Sequence, residues 1–373
     1  MKKLVKSKPK ISKIEGRHYS SEKVISCEVN YLFKKTWQFF CFAIEFDRTN
    51  VVAREMFGVP VIVAKQRDGR FKAFYNICPH RGSVIVEDGE SIKGEFITCR
   101  YHAWCFSTTN GECTIDRRQL LRSDEDQCDV SLKSIQCDSA GAFVFVKICD
   151  QFTETLFDYL GDLESEILFA SKALDFSQIK KSSIKHSCNW KHIVENVVDN
   201  KHCNPVHKLT LSKIGFCKNK PETKLVGLHS MFVIQPGDRE LADKRNRLIK
   251  KVYPNAEVNK YYKHILIWPN LTISIFEGVH YTVGHIVPES ATSSNYITFY
   301  GRPHIANSHL SVALESDHVD SAVSIFNEDV AMLNKLNNNL AIAGLSGHVY
   351  VDELRIIQFQ SNYMNYFWKY GEL

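Results

Sequence analysis

Short apolar runs separated by turn signals dominate the chain from Trp37 to Val146. Val61-Ile62-Val63-Ala64, Phe71-Lys72-Ala73-Phe74-Tyr75 and Ala142-Phe143-Val144-Phe145-Val146 are rich in β-branched and aromatic residues, and Asp68-Gly69 and Asn110-Gly111 read as turns. This is the pattern of a small all-β domain. Before it, a short helix is expected near Glu28 to Lys35. After it, residues 152–175 read as a helical connection. A helix is expected over 189–203, where Trp190, Val194, Val197 and Val198 recur at helical spacing. Residues 223–300 return to strands, at 225–233, 265–267, 271–276, 281–287 and 295–300, with a charged loop or helix at 238–251. Residues 316–341 regain helical spacing, with Val319, Val323, Phe326, Val330, Leu333, Leu336 and Leu340 on one stripe. The fold class is therefore α+β: an N-terminal all-β domain ahead of an antiparallel sheet flanked by helices. The expected divisions are 1–36, a segment packing on the second domain; 37–150, the β module; and 151–373, the α+β domain.

Composition narrows the classes. At 373 residues, 44% apolar and 24% charged, the chain suits a globular protein of two domains. A net charge of +5, with no basic stripe interleaved with aromatics, gives no reason to expect nucleic-acid binding. No run approaches the roughly 18 apolar residues of a membrane span. The start, Met1-Lys2-Lys3-Leu4-Val5-Lys6, is basic but lacks the apolar core of a signal peptide and reads as a solvated tail. Twelve cysteines without a leader argue for reduced thiols in the cytoplasm. Cys78 and Cys99 stand out as ligands; the other ten, Cys203 among them, read as small half-buried hydrophobes.

The chemistry concentrates in two places. On a helix over 189–203, Glu195, Asp199 and His202 share a face, and Pro205 ends the helix so that His207 turns back beside His202. Two neutral imidazoles with an acid behind one of them make two-thirds of a 2-His-1-carboxylate Fe(II) site. The bland alternative is an amphipathic helix with two satisfied histidines. Upstream lie Cys78-Pro79-His80-Arg81-Gly82 and Cys99-Arg100-Tyr101-His102-Ala103-Trp104, two loops expected at one end of the β structure. Two thiolates and two imidazoles are the ligand set of a Rieske [2Fe–2S] centre. A Cys2His2 zinc site is the rival, but zinc sites pair their cysteines as C-x2–4-C, whereas Cys and His alternate here.

Together CPHRG, CRYHAW and NWKxxxENxxDxxHxxxxH resemble the α subunit of the Rieske non-haem iron oxygenases, the ring-hydroxylating dioxygenases and their monooxygenase relatives. The resemblance spans about residues 37–373. It implies that Cys78, His80, Cys99 and His102 hold the cluster and that His202 and His207 hold a mononuclear iron. Asp199 resembles the acid that joins the two centres, one oxygen on His202 and the other facing a cluster histidine, here His102, of a neighbouring subunit. The resemblance also implies a homotrimer, or three such subunits within a larger assembly. The third iron ligand resembles Asp329, with Glu328 as the alternative and Asp317 and Asp320 behind it. Asn196 would approach the iron's open side. Glu195 is expected to pair with Lys191, and Trp190 to sit in the core. Gly344-Leu345-Ser346, the stretch from Glu353 to Gln360, and Trp268-Pro269-Asn270-Leu271 lean toward the choline, betaine and carnitine branch. Asn200-Lys201 departs from the glycine and aromatic common there.

The implied activity uses O2 and electrons that originate in NAD(P)H and reach the chain through a flavin/iron–sulfur reductase or a ferredoxin. The favoured substrate is a small quaternary ammonium compound, mono-oxygenated, with N-dealkylation as one outcome. The rival is dioxygenation of an aromatic acid or hydrocarbon. Phe216, Phe232, Phe276 and Tyr281 are candidates for the pocket in either case. A bare electron carrier would have no use for the second iron site.

Overall fold

The computed structural model describes residues 13–115, 130–149, 154–212, 219–303 and 309–370. The expectations placed on residues 1–6, Cys128, Phe216 and Cys217 lie outside the described residues. Ser21 opens the first helix: its side chain accepts from the Val24 amide at 3.4 Å, the capping role serine favours. Helix α1 then runs over Glu22–Tyr31, earlier than the expected 28–35, because the cap at Ser21 sets its start. Residues up to Leu32 belong with Ala173 onward in one compact unit, and Phe33–Lys172 forms the other.

The inserted unit is built on strands β1 (Gln38–Phe42), β2 (Val51–Met56), β3 (Val59–Lys65), β4 (Phe71–Tyr75), β5 (Phe96–Thr98), β6 (Cys105–Ser107), β7 (Ser134–Ala140) and β8 (Phe143–Lys147). Six form a sheet in the order β1-β8-β7-β4-β3-β2, while β5 and β6 pair by themselves. Strand β3 is apolar from Val59 to Ala64, and both its faces are buried over residues 61–64. Val61 and Val63 pack into one core cluster. Ile62 and Ala64 pack into the other, which also contains Cys78, Cys99 and Trp104. Helices α2 (Leu156–Leu160) and α3 (Glu164–Ala173) follow. They stay with this unit rather than opening the next at residue 151, since α2 buries Leu156, Tyr159 and Leu160 and packs on β7.

The larger unit contains β9 (Lys180–His186), α4 (Trp190–Val198), α5 (Cys203–Val206), β10 (Glu222–Val226), β11 (His229–Ile234), α6 (Arg239–Val252), β12 (Tyr262–Ile267), β13 (Leu271–Phe276), β14 (His280–Ser290), β15 (Ser293–Gly301), α7 (His309–Leu333), α8 (Asn339–Ile342) and α9 (Leu354–Tyr370). Its strands form a seven-stranded sheet ordered β10-β11-β12-β13-β14-β15-β9, antiparallel at every pairing. The single strand expected over 225–233 is a hairpin, turned at Gly227 with φ 53°. The apolar stripe of α7 stops at Leu333. Leu336 lies beyond the helix, 42% exposed, in an asparagine-rich stretch where Asn337 takes φ 36°.

Helix α4 is fixed by a buried polar knot. Lys191 Nζ lies 2.5 Å from Glu28 Oε1, both side chains fully buried. Glu28 also accepts from Trp190 Nε1 and the Tyr363 hydroxyl, each at 2.7 Å. The expected Lys191–Glu195 pair does not form. One helical turn puts the two near each other, but α1 supplies a better acid. Glu195 accepts instead from the Tyr19 hydroxyl at 2.7 Å and from Gln360 at 2.8 Å. No helix among the described residues is long and apolar enough to cross a membrane. Replacing Lys191 by Met leaves the buried Glu28 carboxyl without its cation. We expect this to cost about 3–5 kcal/mol of stability, read as a lowered urea midpoint of the larger unit.

Candidate metal centres and cavity

In the β unit, tight hydrogen-bonded loops place the CPHRG and CRYHAW residues. The Cys78 amide donates to Ser83 O at 2.8 Å and the Gly82 amide to Cys78 O at 2.9 Å. The second loop repeats the device, Cys99 amide to Trp104 O at 2.8 Å and Ala103 amide to Cys99 O at 3.0 Å. Gly82 and Ala103 close the loops with φ of 74° and 57°. Cys78 and Cys99 are free thiols, 2% and 1% exposed. The His80 and His102 rings lie 4.5 Å apart, His80 half-buried and His102 exposed. Buried thiols below paired surface imidazoles suit a cluster with one iron per ligand type. Trp104 stacks on His80 at 4.6 Å. The tryptophan ends the second motif, but nothing in the spacing shows that its ring covers the histidine of the first.

In the larger unit, α4 ends at Val198, and Asp199 caps it in an extended conformation, φ −78° and ψ 143°. The expected helix over 189–203 is thus two helices and a turn. Asp199 takes over the turn's amides: Oδ1 accepts from Lys201 N at 2.7 Å and Oδ2 from His202 N at 3.2 Å. Pro205 lies inside α5 rather than after a helix, within the first turn, where its missing N–H is not required. Asp199 therefore meets His202 across a turn, not along a helix face, and Glu195 points away from both.

Both histidines are held by carboxylates behind them. His202 Nδ1 lies 3.0 Å from Asp199 Oδ2, and His207 Nδ1 lies 2.9 Å from Glu328 Oε2. Each Nδ1–H donates outward, which leaves the Nε2 lone pairs free. Asp329 Oδ1 sits 3.6 Å from His202 Nε2 and 3.2 Å from His207 Nε2. The three potential ligand atoms lie within 4.8 Å of one another. Asp329 Oδ1 is buried without a hydrogen-bond partner, as a carboxylate oxygen reserved for a cation would be. Two imidazoles and one carboxylate with open positions fit non-haem Fe(II).

Glu328 is thereby separated from Asp329. It accepts from His207 and, at 2.6 Å, from the Thr210 hydroxyl, so its oxygens face away from the common point. Adjacent positions on a helix diverge by about 100°, which gives the neighbouring acids different tasks. Burial pushes the Asp199 carboxyl up, but His202 and the Lys201 amide outweigh it and leave its pKa lowered. Burial works against a charged His207, yet Asp329 and Glu328 prevail and its pKa is raised. Cys203, beside His202, is disulfide-bonded, so the reduced-thiol reading fails there.

A cavity of about 520 Å³ opens onto this triad. His202, His207 and Asp329 line its metal end, Asn196 lines the cavity as well, and Phe232, Tyr262, His264, Phe276, Tyr296 and Phe326 form much of the wall. Alternate residues of each strand face it: Phe232 and Ile234 on β11, Tyr262 and His264 on β12, His280 and Thr282 on β14. Of the pocket candidates, Phe232 and Phe276 do line it. Tyr281, one step out of phase, is fully buried and does not. Asp317 lines the cavity too but is exposed, and Asp320 is also exposed.

A family model described as the Rieske [2Fe-2S] domain matches residues 36–120, and one described as the ring hydroxylating alpha subunit (catalytic domain) matches residues 174–367. The chain belongs to the ring-hydroxylating alpha-subunit family. Among its relatives is the carnitine monooxygenase oxygenase subunit of Escherichia coli K12, 30% identical over 196 residues, 52% of each chain. The anthranilate 1,2-dioxygenase large subunit of Acinetobacter baylyi is 28% identical over 197 residues, 51% of this chain and 41% of the relative. The chain spans about half the length of the curated relatives it matches. A crystal structure of a quaternary ammonium Rieske monooxygenase with L-carnitine shares the fold, with a TM-score of 0.73 at 20% identity over 95% of both chains.

Replacing Asp329 by Ala should remove about one of roughly three irons per chain while the cluster's visible absorption persists. Glu328→Gln should keep the metal but weaken its affinity about 10–100-fold. Iron analysis alongside absorption spectra separates the two.

Proposed function

We propose that this chain is the oxygenase component of a Rieske non-haem iron system. It uses O2 and electrons delivered by a flavin/iron–sulfur reductase or a ferredoxin to mono-oxygenate, with N-dealkylation, a small quaternary ammonium-type substrate. The observation that carries the reading is the convergence of His202 Nε2, His207 Nε2 and Asp329 Oδ1 at one end of an aromatic-walled cavity. Cys78, His80, Cys99 and His102 would hold the cluster, and His202, His207 and Asp329 the mononuclear iron. When bound, the cluster supplies single electrons and the iron supplies O2 activation.

The chain's own residues supply position and protection. Asp199 keeps the Nδ1 proton of His202 and fixes the ring. Glu328 does the same for His207. Asn196 borders the open side of the triad. Aromatic faces at Phe232, Tyr262, Phe276, Tyr296 and Phe326 suit a cation with no protons to donate. The names of the carnitine relative and of the matched structure support this substrate class. The rival reading, dioxygenation of an aromatic acid, is favoured by the same apolar walls and by the anthranilate relative.

Asp199 is half-buried and His102 is exposed, so each is open to a neighbouring copy. In a homotrimer, Asp199 of one subunit would stand between its own His202 and the neighbour's cluster. The chain would work in the cytoplasm, where Cys78 and Cys99 stay reduced and available to the cluster. Asp199→Asn should keep the cluster's absorption and lower turnover by at least 100-fold. Turnover within threefold of the parent would remove the bridge. Mass analysis of products formed under 18O2, from a panel of betaines and aromatic acids, decides between one oxygen atom and two.

A further inference from the structure

Arg355 is a buried cation with no acid. It is 3% exposed and, among the described residues, no carboxylate pairs with it. Its Nε donates to Ser230 Oγ at 3.0 Å, and its Nη2 lies 2.9 Å from His264 Nδ1. Nη1 is buried without an acceptor. The guanidinium carbon stands 4.7 Å from the centre of the Phe232 ring, which offsets part of the charge. Arg355 also lies in the first turn of α9, where the helix dipole is positive and disfavours a cation. Such a charge is costly unless an anion answers it.

His264 carries that charge to the cavity. A guanidinium can only donate, so the His264 Nδ1 must accept, and the ring's proton is on Nε2. Burial, then Arg355, holds the imidazole's pKa well below its ordinary value, so the ring stays neutral with one fixed donor. The ring lines the cavity, and its Nε2 makes no hydrogen bond among the described residues. Ser274, directly across from His264 in the β12–β13 register, adds a hydroxyl to the same wall. Tyr262, whose hydroxyl is 3.0 Å from Ser274 Oγ, feels both the Arg355 cation and the Asp329 carboxylate. The donor pair is thus within electrostatic reach of the metal end.

We propose that His264 and Ser274 seat a carboxylate of the substrate, with buried Arg355 behind His264 as its counter-charge. The inference rests on the assignment of this cavity as the substrate site. It adds that the substrate bears an anion: an ammonium compound bound here is a zwitterion, not a simple cation.

The test is isothermal titration calorimetry on the iron-loaded protein with two matched pairs, γ-butyrobetaine against its methyl ester and benzoate against methyl benzoate. The expected result is that, in at least one pair, the acid binds at least tenfold more tightly than the ester. Arg355→Met and His264→Phe should each bring that pair within twofold by weakening the acid and leaving the ester unchanged. A smaller preference in the parent, or a folded variant that keeps the preference, overturns the proposal. Should both variants fail to fold, the parent's acid–ester comparison decides alone. The ammonium assignment fails separately: Arg355-dependent benzoate binding without γ-butyrobetaine binding removes it and leaves the seat. γ-Butyrobetaine binding with no acid preference in either pair removes the seat and leaves the ammonium assignment.

Discussion

The metal end of the cavity depends on one constraint: each histidine's outer nitrogen is tied to a carboxylate. An imidazole has two nitrogens, and which one is left free is set by what the other holds. Asp199 takes Nδ1 of His202 and Glu328 takes Nδ1 of His207. Both Nε2 atoms are thereby directed at the oxygen of Asp329. Neither acid comes with its histidine on a shared helical face. Asp199 reaches His202 across a turn, and Glu328 reaches His207 from α7, 121 positions along the chain. The triad exists because α4, α5 and α7 are brought together, as their mutual packing shows.

That packing relies in turn on groups which are polar and buried. Lys191, inside α4, finds its acid in α1, and the same acid holds Tyr363 of α9. Glu195, one turn along, is held by Tyr19 and Gln360. Two distant segments of chain therefore grip the helix that leads into the metal site. A satisfied buried network of this kind specifies one arrangement where an apolar interface would permit several. Trp190 packs against the same centre, edge to face with Phe359 at 5.7 Å.

Much of the site was legible because its chemistry is written in short spacings. Cys78 with His80, and Cys99 with His102, are two and three positions apart, so each pair must share a loop whatever the rest of the chain does. His202 and His207 are close enough for one turn to join them. What could not be read was the direction of long-range partners. Lys191 lies one helical turn from Glu195, and local spacing favoured that pair; Glu28, 163 positions away, was invisible to periodicity. Glu328 and Asp329 are indistinguishable as letters, and only the placement of α7 gives one to the histidine and the other to the common point. Periodicity also ran helices past their ends. Asp199 stopped α4 by taking the turn's amides for itself, and the asparagines after Leu333 stopped α7. Arg355 gave no signal at all, since its meaning lies in the acid that is missing around it.

The knot around Glu28 also bears on the order in which the polypeptide becomes native. The inserted unit, Phe33–Lys172, is continuous in the chain, so it can complete itself from its own contacts while synthesis proceeds. The first helix has no such opportunity. Its glutamate waits for Lys191 and then for Tyr363, 335 positions later. Contacts that close such long loops form late. Until the last helix has left the ribosome, α1 is an amphipathic segment with an unanswered acid, and the larger unit has no closed core to offer a metal.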